Sequence, residues 1–527
     1  MRRFYSYGPV DERKHFTVPR KELIRTCFEN IVGDEEGGHY FTIWAPRQTG
    51  KTWLMRQVSE QIRTVYADQF IVAKMSCQGI IMKDGADEDE FLKKIPKLML
   101  DGFDMDIHAP ESWEDWILFF HKRKGFFKKP VILFIDEFDS LPATVIDRVV
   151  TLFRDIYLNR DDYRLHGLAL IGVRAVLGIE SRRGSPFNIQ RSLHVPNFTE
   201  EEVEYLFKQY QEESGQKIDS EVVNRLFGVT RGQPGLVGWF GELLTEKYNS
   251  NQDKFINISA WETVYRKACH VEWNNTVLNL FKKAGQENIP YILEIFGNSD
   301  ILFSLRTEWC SNLYLNGIID YIETVDKEGL TKEVCRFSSP FVQDCLFSAL
   351  TNDLVGDRLP ILAIEPLDTL SDVFDSSELN LPALLERYKS YLDRLKAKNL
   401  NPWKDQPRRS DLHLTEYVGH FHLYFWLQNA AGRRCVISPE FPTGNGRVDL
   451  HLRCGGKSGI IEVKSFTDFS ELEESKKQAA RYSAKLGLSS VTLAVFVPTD
   501  DDNILKRLSG ETVIDGVKVI VSAIGWV

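Results

Sequence analysis

The first third of the chain alternates short, continuous apolar runs with longer stretches of helical period. Tyr40 to Trp44, Phe70 to Cys77, Val131 to Ile135 and Leu168 to Arg174 read as strands, most of them apolar at successive positions as in a strand buried on both faces. Between them lie predicted helices: Lys51 to about Arg63, Asp87 to Leu100 with a break at Pro96, Ser112 to Lys122 with a Trp/Phe stripe read as core, and Val145 to Asn159. A lead-in helix, Glu22 to about Ile31, ends near Gly33. Strands alternating with helices predict an α/β fold with a parallel, helix-covered sheet. A ligand of such a sheet sits at the carboxyl ends of its strands.

The pattern changes after residue 185. A short strand, Ser192 to Val195, leads to helices at 200–213, 219–227 and 234–248, the first opened by a Thr199/Glu202 capping box. Residues 251–350 read as a winged-helix-like module. Its helices fall at 258–269 and 273–283, its hairpin strands at Ile319–Glu323 and Val334–Ser338, and its last helix at Phe341–Leu350. Pro360, Pro366 and Pro382 punctuate a helical linker. The last stretch gives an amphipathic helix, about Leu412 to Ala430, then strands at Cys435–Phe441, Gly446–Leu452 and Ser458–Lys464. A helix at Ser470–Leu486 and strands at Ser490–Val497 and Val517–Ile524 complete it. The expected organisation is a core with lead-in at 1–196, a helical lid at 197–250, the winged-helix-like module at 251–350, the linker at 351–408 and a C-terminal α/β domain at 409–527.

Composition narrows this reading. A chain of 527 residues suggests about three or four domains, and 43% apolar and 12% aromatic content suffices for packed cores. The net charge of −10 argues against a surface built for non-specific nucleic-acid binding, while leaving room for a local basic groove. The cluster Lys122-Arg123-Lys124 and Lys128-Lys129 reads as a solvated face. Eight cysteines show no C-x-x-C pair and no zinc spacing, so they are expected as reduced thiols in a cytoplasmic protein. No apolar run is long enough to cross a bilayer, and no apolar segment of the signal-peptide kind follows the first residues.

The chemistry begins where the first strand ends. Ala45-Pro46-Arg47-Gln48-Thr49-Gly50-Lys51-Thr52 has the spacing of a phosphate-binding loop, with Ala in place of the first Gly. Gly50 lets backbone N–H groups close on a phosphate, Lys51 supplies charge for the β and γ phosphates, and Thr52 offers a hydroxyl to Mg²⁺. The strand Val131–Ile135 runs into Asp136 and Glu137, placed to hold the Mg²⁺ shell and to orient the attacking water. Ala45–Thr52, Asp136, Glu137 and Arg174 all fall at carboxyl ends of strands, which points to an ATP site. Together with Ser185–Ile189 and Gly232-Gln233-Pro234, these residues resemble the AAA+/STAND group of P-loop ATPases, over about residues 5 to 250. The resemblance implies that Pro234 lies near the adenine and that Arg174 stands where a γ-phosphate sensor would be, although the usual polar sensor is absent there.

A second chemistry lies near the C-terminus. Gly446–Leu452 carries Asp449, and Ser458–Lys464 carries Glu462-Val463-Lys464. Residues two apart on a strand share a face, so Glu462 and Lys464 project together. This arrangement resembles the PD-(D/E)XK nuclease superfamily over about residues 409 to 527, with Val448 where a Pro is usual. The resemblance implies that Asp449 and Glu462 bind Mg²⁺, or Mn²⁺ in its place, and that Lys464 orients the attacking water. It also implies that Glu416 completes the metal shell and that Gln478 and Tyr482 support the site or contact nucleic acid. The expected function is an ATP-hydrolysing, Mg²⁺-dependent DNA endonuclease, with RNA as the other substrate, acting as a homo-oligomer in defence against phage or mobile DNA. The alternative is an ATP-dependent switch that binds nucleic acid without cutting it. A helicase-like motor ranks last, because its further motifs are not evident.

Overall fold

The computed structural model describes the chain apart from residues 7, 9, 35–36, 67, 81, 83–87, 173–191, 273, 275–286, 297, 299, 326–328, 357–358, 405, 407, 409–414 and 443–446. The chain forms two compact units, Met1–Phe255 with Ser304–Gly317, and Ile256–Phe303 with Ile318–Val527.

The first unit is an α/β fold on a parallel sheet. Its strands are β1 (Tyr40–Trp44), β2 (Ile71–Ser76), β3 (Val131–Asp136), β4 (Leu165–Gly172) and β5 (Ser192–His194), in the order β2-β3-β4-β1-β5. The apolar runs are continuous because both faces are buried. On β3, Val131, Leu133 and Ile135 join one core with Phe91, Met99, Trp116 and Phe153. Ile132 and Phe134 join the opposite core with Ile31, Leu54, Val58 and Ile62. The Trp/Phe stripe is core, as read: Trp113, Trp116 and Phe120 are buried. The helix expected across Pro96 is two helices, Glu88–Leu92 and Ile95–Phe103. Pro96 lies in the first turn of the second, where a missing N–H costs nothing.

Three helices follow β5: Glu200–Ser214, Ser220–Thr230 and Pro234–Glu242. Thr199 and Glu202 make the expected reciprocal capping box. Arg20, on the lead-in, binds the carbonyls of Pro196 and Asn197 at 2.8 and 3.0 Å and pairs with Glu202 at 3.3 Å. It ties the lead-in to the lid.

In the second unit, β6 (Ile319–Val325) and β7 (Thr331–Phe337) form an antiparallel hairpin, with helices Ile258–His270 and Pro340–Val355 in the same unit. The helix expected at 273–283 falls almost wholly on residues outside those described. A six-stranded sheet comprises β8 (Val436–Pro442), β9 (Arg447–Cys454), β10 (Lys457–Ser465), β11 (Ser490–Val497), β12 (Gly510–Ile514) and β13 (Val517–Gly525). Its order is β12-β13-β11-β10-β9-β8, antiparallel from β8 to β10, parallel through β11 to β13, and closed by antiparallel β12.

Three features differ from expectation. β12 and the helix Asp502–Leu508 had no counterpart in the sequence reading. The helix Glu416–Ala431 is not amphipathic: Val418 to Leu427 are all buried. Cys435 and Cys454 are not free thiols but a disulfide, their Cα atoms 4.4 Å apart beside the β8–β9 ladder, whereas the other six cysteines are free.

Candidate functional site

Strand β1 delivers Ala45–Thr52 to the N-terminus of the helix Lys51–Tyr66. Ala45 is fully buried and lies outside the left-handed φ region, which is why a residue with a Cβ is tolerated there. Gln48 and Gly50 do take left-handed φ values, 60° and 94°. At Gly50 the backbone angle, not lack of room, favours glycine, because an added Cβ would meet nothing within 4 Å. A non-glycine residue in that region, as at Gln48, stores strain of the kind found at ligand clamps. Thr49 braces the loop by donating to the Pro46 carbonyl at 2.9 Å.

The Lys51 ammonium is buried and donates to the carbonyls of Ala45 and Pro46, both at 2.8 Å. Burial pushes its pKa down to about 8, against the pull of Glu137, Asp139 and Asp136. Carbonyl dipoles alone compensate a buried charge poorly, so the site favours an arriving anion. The Thr52 hydroxyl donates to Asp136 Oδ2 at 2.8 Å. Hydroxyl and carboxylate thus form an adjacent pair of hard oxygen donors, a set that fits Mg²⁺.

Glu137 follows Asp136 with a left-handed φ of 52°, and its N–H bonds Asp136 Oδ1 at 2.9 Å. Burial, then Asp136 and Asp139, raise its carboxyl above the usual range. Asp139 was missed in the sequence; its signal was a third carboxylate three positions after Asp136. Gly172, at the end of β4, gives Asp139 its room, since a Cβ there would come within 2.7 Å of Oδ1. Arg174 lies outside the described residues.

The lid motif reaches the loop directly. Gln233 Nε2 donates to the Arg47 carbonyl and the Gly235 N–H to the Gln48 carbonyl, both at 3.1 Å. A side chain at Gly235 would collide with Gln48. Pro234 opens the lid helix at its first turn.

The second unit brings Asp449, Glu462, Lys464 and Glu416 together. Alternation along β10 sets Ile460, Glu462 and Lys464 on one face, and Ile460 packs in the core of helix Phe469–Lys485. The Lys464 ammonium binds Glu416 Oε1 at 2.8 Å and lies 4.0 Å from Asp449 Oδ2. Burial opposes its charge, but Asp449, Glu416 and Glu462 outweigh that and hold its pKa well above the ordinary lysine value. Asp449 also accepts the Val463 N–H at 2.6 Å. Glu462 is buried.

Among the described residues, no three His, Cys, Asp or Glu side chains converge closely enough to hold a metal ion. Glu416 pairs with Lys464 through Oε1. Asp449 and Glu462 remain hard oxygen donors of the kind Mg²⁺ takes. Gln478 donates to the Tyr482 hydroxyl at 2.8 Å across one helical turn. His420 was missed: its Nε2 meets the Asp449 carbonyl at 2.9 Å and its ring lies tilted against Phe347, centroids 4.7 Å apart. The only hint of it was two histidines in an otherwise apolar helix.

Comparison with known proteins bears on the first unit. No curated protein matches the chain. Among solved structures, a Walker-type ATPase of Pyrococcus abyssi is 14% identical, covering 64% of this chain and 98% of its own, with a TM-score of 0.42. Cdc6p from Pyrobaculum aerophilum is 13% identical, covering 65% and 99%, with a TM-score of 0.36. The Thermotoga maritima RuvB Holliday junction branch migration motor is 13% identical, covering 60% and 92%, with a TM-score of 0.31. These likenesses are loose. The assignment rests on a sequence profile that matches residues 5–279, just over half of the 527 residues. No described helix is long and apolar enough to cross a membrane. The chain belongs to the AAA-like domain family, and its first unit is a nucleotide-binding P-loop ATPase domain.

Proposed function

We propose that the chain binds and hydrolyses ATP in its first unit and cleaves phosphodiester bonds of nucleic acid with its second, ATP governing the cleavage. The observation that carries the second half is the convergence of Asp449, Glu462 and Lys464 on neighbouring strands, with the Lys464 ammonium 2.8 Å from Glu416 and 4.0 Å from Asp449.

At the first site Lys51 and the loop N–H groups take the β and γ phosphates. Lys51 then exchanges carbonyl partners for anionic ones. Glu137, poorly solvated and beside two other acids, accepts a hydrogen bond from the attacking water and turns it toward the γ-phosphate. Gln233 and Gly235 link the lid to the loop that grips those phosphates, so nucleotide occupancy is transmitted to the lid. Pro234 and Arg174 are assigned by analogy to the adenine and γ-phosphate ends.

At the second site Lys464 orients a water and stabilises charge developing on the scissile phosphate. Thr52 with Asp136, and Asp449 with Glu462, would hold Mg²⁺ (or Mn²⁺ at the second site), which supplies charge neutralisation and a more acidic bound water when present. Gln478 and Tyr482 contact the polymer, for which DNA is favoured over RNA. The reading includes self-assembly, a cytoplasmic setting and a role in defence against phage or mobile DNA.

Plasmid and single-stranded DNA incubated with Mg²⁺ and ATP test this. Wild-type protein should cut at least one of them, and Asp449→Ala should lower cleavage by 100-fold or more (order of magnitude for loss of a metal ligand) with ATP turnover intact. Equal cleavage by Asp449→Ala would remove the assignment. One observation favours the non-cutting alternative: Lys464 already neutralises the acids, and no three-ligand metal cluster forms among the described residues. Wild-type protein that binds DNA and RNA but leaves both whole would select it.

A further inference from the structure

The loop that runs from the helix Trp113–Leu118 into β3 carries charge that none of the chemistry above uses. Between Asp115 and Asp136 the chain has no Asp or Glu, while Lys122, Arg123, Lys124, Lys128 and Lys129 fall in one run of eight residues. In a chain of net charge −10 this is a concentrated patch of the opposite sign. All five side chains are exposed. Lys129 lies 3.8 Å from Asp68, whereas the other four make no ion pair among the described residues.

The turn that displays these cations is held in place. His121 Nδ1 accepts the N–H groups of Arg123 and Lys124 at 3.0 and 3.3 Å, and the Gly125 N–H donates to the His121 carbonyl at 2.8 Å. A side chain at Gly125 would run into the carbonyl oxygens of Phe119, His121 and Leu118. The Lys122 N–H donates to the Asp162 carbonyl at 2.8 Å and the Arg164 N–H to the Phe120 carbonyl at 2.7 Å, which pins the loop to the segment entering β4. Phe127 is buried, its ring 5.4 Å from Phe120 and 4.6 Å from Phe103. Its neighbour Phe126 is 48% exposed, with its ring backed by Phe119 at 4.8 Å. One open aromatic ring is thus fixed among the cations.

Cations attract any polyanion, so the ring decides the class. A single nucleic-acid strand offers phosphates to Lys and Arg and open base faces to an aromatic side chain. A duplex keeps its bases stacked on one another and leaves Phe126 unused. An anionic bilayer takes basic residues together with a face of apolar ones, and Phe126 is the one exposed large hydrophobic residue of residues 119–130. We infer that the loop 122–129 is a binding surface for single-stranded nucleic acid, its cations on the phosphates and Phe126 stacked on a base. The loop enters β3 at its amino end, and Asp136 of the ATP site stands at the other end, about 17 Å along the strand. Strand and nucleotide therefore do not compete for one place. The inference does not depend on whether the second site cuts nucleic acid.

Fluorescence anisotropy of the full chain with a labelled thymidine strand of about 15 nucleotides, in EDTA and without ATP, tests the inference. A background of Gln478→Ala with Tyr482→Ala removes the contacts proposed for the second unit, so the two readings fail separately. The strand should bind in that background, and more tightly than a duplex of the same length. Changing Lys122, Arg123, Lys124 and Lys128 together to Ala should weaken binding at least tenfold. It should also flatten the slope of log affinity against log salt by about 2 to 3, at about 0.7 per phosphate contact. Phe126→Ala should weaken binding about tenfold with the slope unchanged, and Phe126→Trp should retain it. Circular dichroism and ATP turnover report that these exposed substitutions leave the fold and the first site intact. The inference is overturned if the strand does not bind, or if the duplex, phosphatidylserine vesicles or polyglutamate bind as tightly. It is equally overturned if the four-alanine variant or Phe126→Ala binds the strand as wild type does.

Discussion

Lys51 and Lys464 take the same side chain into largely buried surroundings and meet opposite company. Lys51 rests on two backbone carbonyls, and burial lowers its pKa to about 8. Lys464 lies among Glu416, Asp449 and Glu462, which hold its proton well above the usual range. At the first site burial of the cation outweighs the pull of Glu137, Asp139 and Asp136. The second has anions served by a cation. An incoming triphosphate completes the first, whereas the second must share its carboxylates with any metal that arrives. Lysine in a phosphate-handling site is thus no single signal, because its neighbours decide what it awaits.

The largest expected effect is on the first lysine's function. Lys51→Ala should reduce ATP binding and turnover by 100-fold or more (order of magnitude), measured by nucleotide titration and phosphate release. Normal turnover would break the contrast at its first term.

The stability of the two Met variants sharpens it. Lys464→Met leaves Glu416 and Asp449 without their cation and should destabilise the second unit by about 2 kcal/mol in urea unfolding. Lys51→Met removes a charge whose burial outweighs the pull of Glu137, Asp139 and Asp136 and should leave the nucleotide-free protein as stable or more so. Destabilisation of equal size in both would show that the two environments do not differ.

The smallest effect concerns the lid. Gln233→Ala deletes its bond to the Arg47 carbonyl and one N-cap acceptor. It should cost about 1 kcal/mol, seen as a several-fold weaker ATP affinity with turnover at saturation little changed. A large drop in saturated turnover would instead give Gln233 a part in the chemistry.

The first unit was readable because its physics is local. Strands buried on both faces, such as Val131–Asp136, are apolar at every position, and Gly50-Lys51-Thr52 sit together in the chain. The capping box at Thr199 and Glu202 is likewise local. What could not be read depends on contacts between distant segments. Asp139 matters through its distance from Lys51 and Glu137. The helix Glu416–Ala431, read as amphipathic, is buried from Val418 to Leu427, and what its His420 and His422 touch depends on distant segments. Cys435 and Cys454 are brought together by strand pairing rather than by a motif spacing. β12 is short and largely exposed, so its edge pattern is weak. In the second unit, that Asp449, Glu462 and Lys464 lie together on neighbouring strands was legible, but the pairing of Glu416 with Lys464 was not.

The most direct test of the contrast is proton uptake on binding ATP. With free Lys51 titrating near pH 8, affinity should be level below that pH. It should fall as pH rises above it, because phosphate must then recruit the proton the lysine has lost. Calorimetric titrations of MgATP at pH 9, in two buffers of different ionisation enthalpy, should report net uptake approaching one proton per nucleotide in wild type and none in any residual binding by Lys51→Met. Buffer-independent heats in the wild type, with affinity flat from pH 7 to pH 9 (about one unit either side of the Lys51 value), would contradict the account.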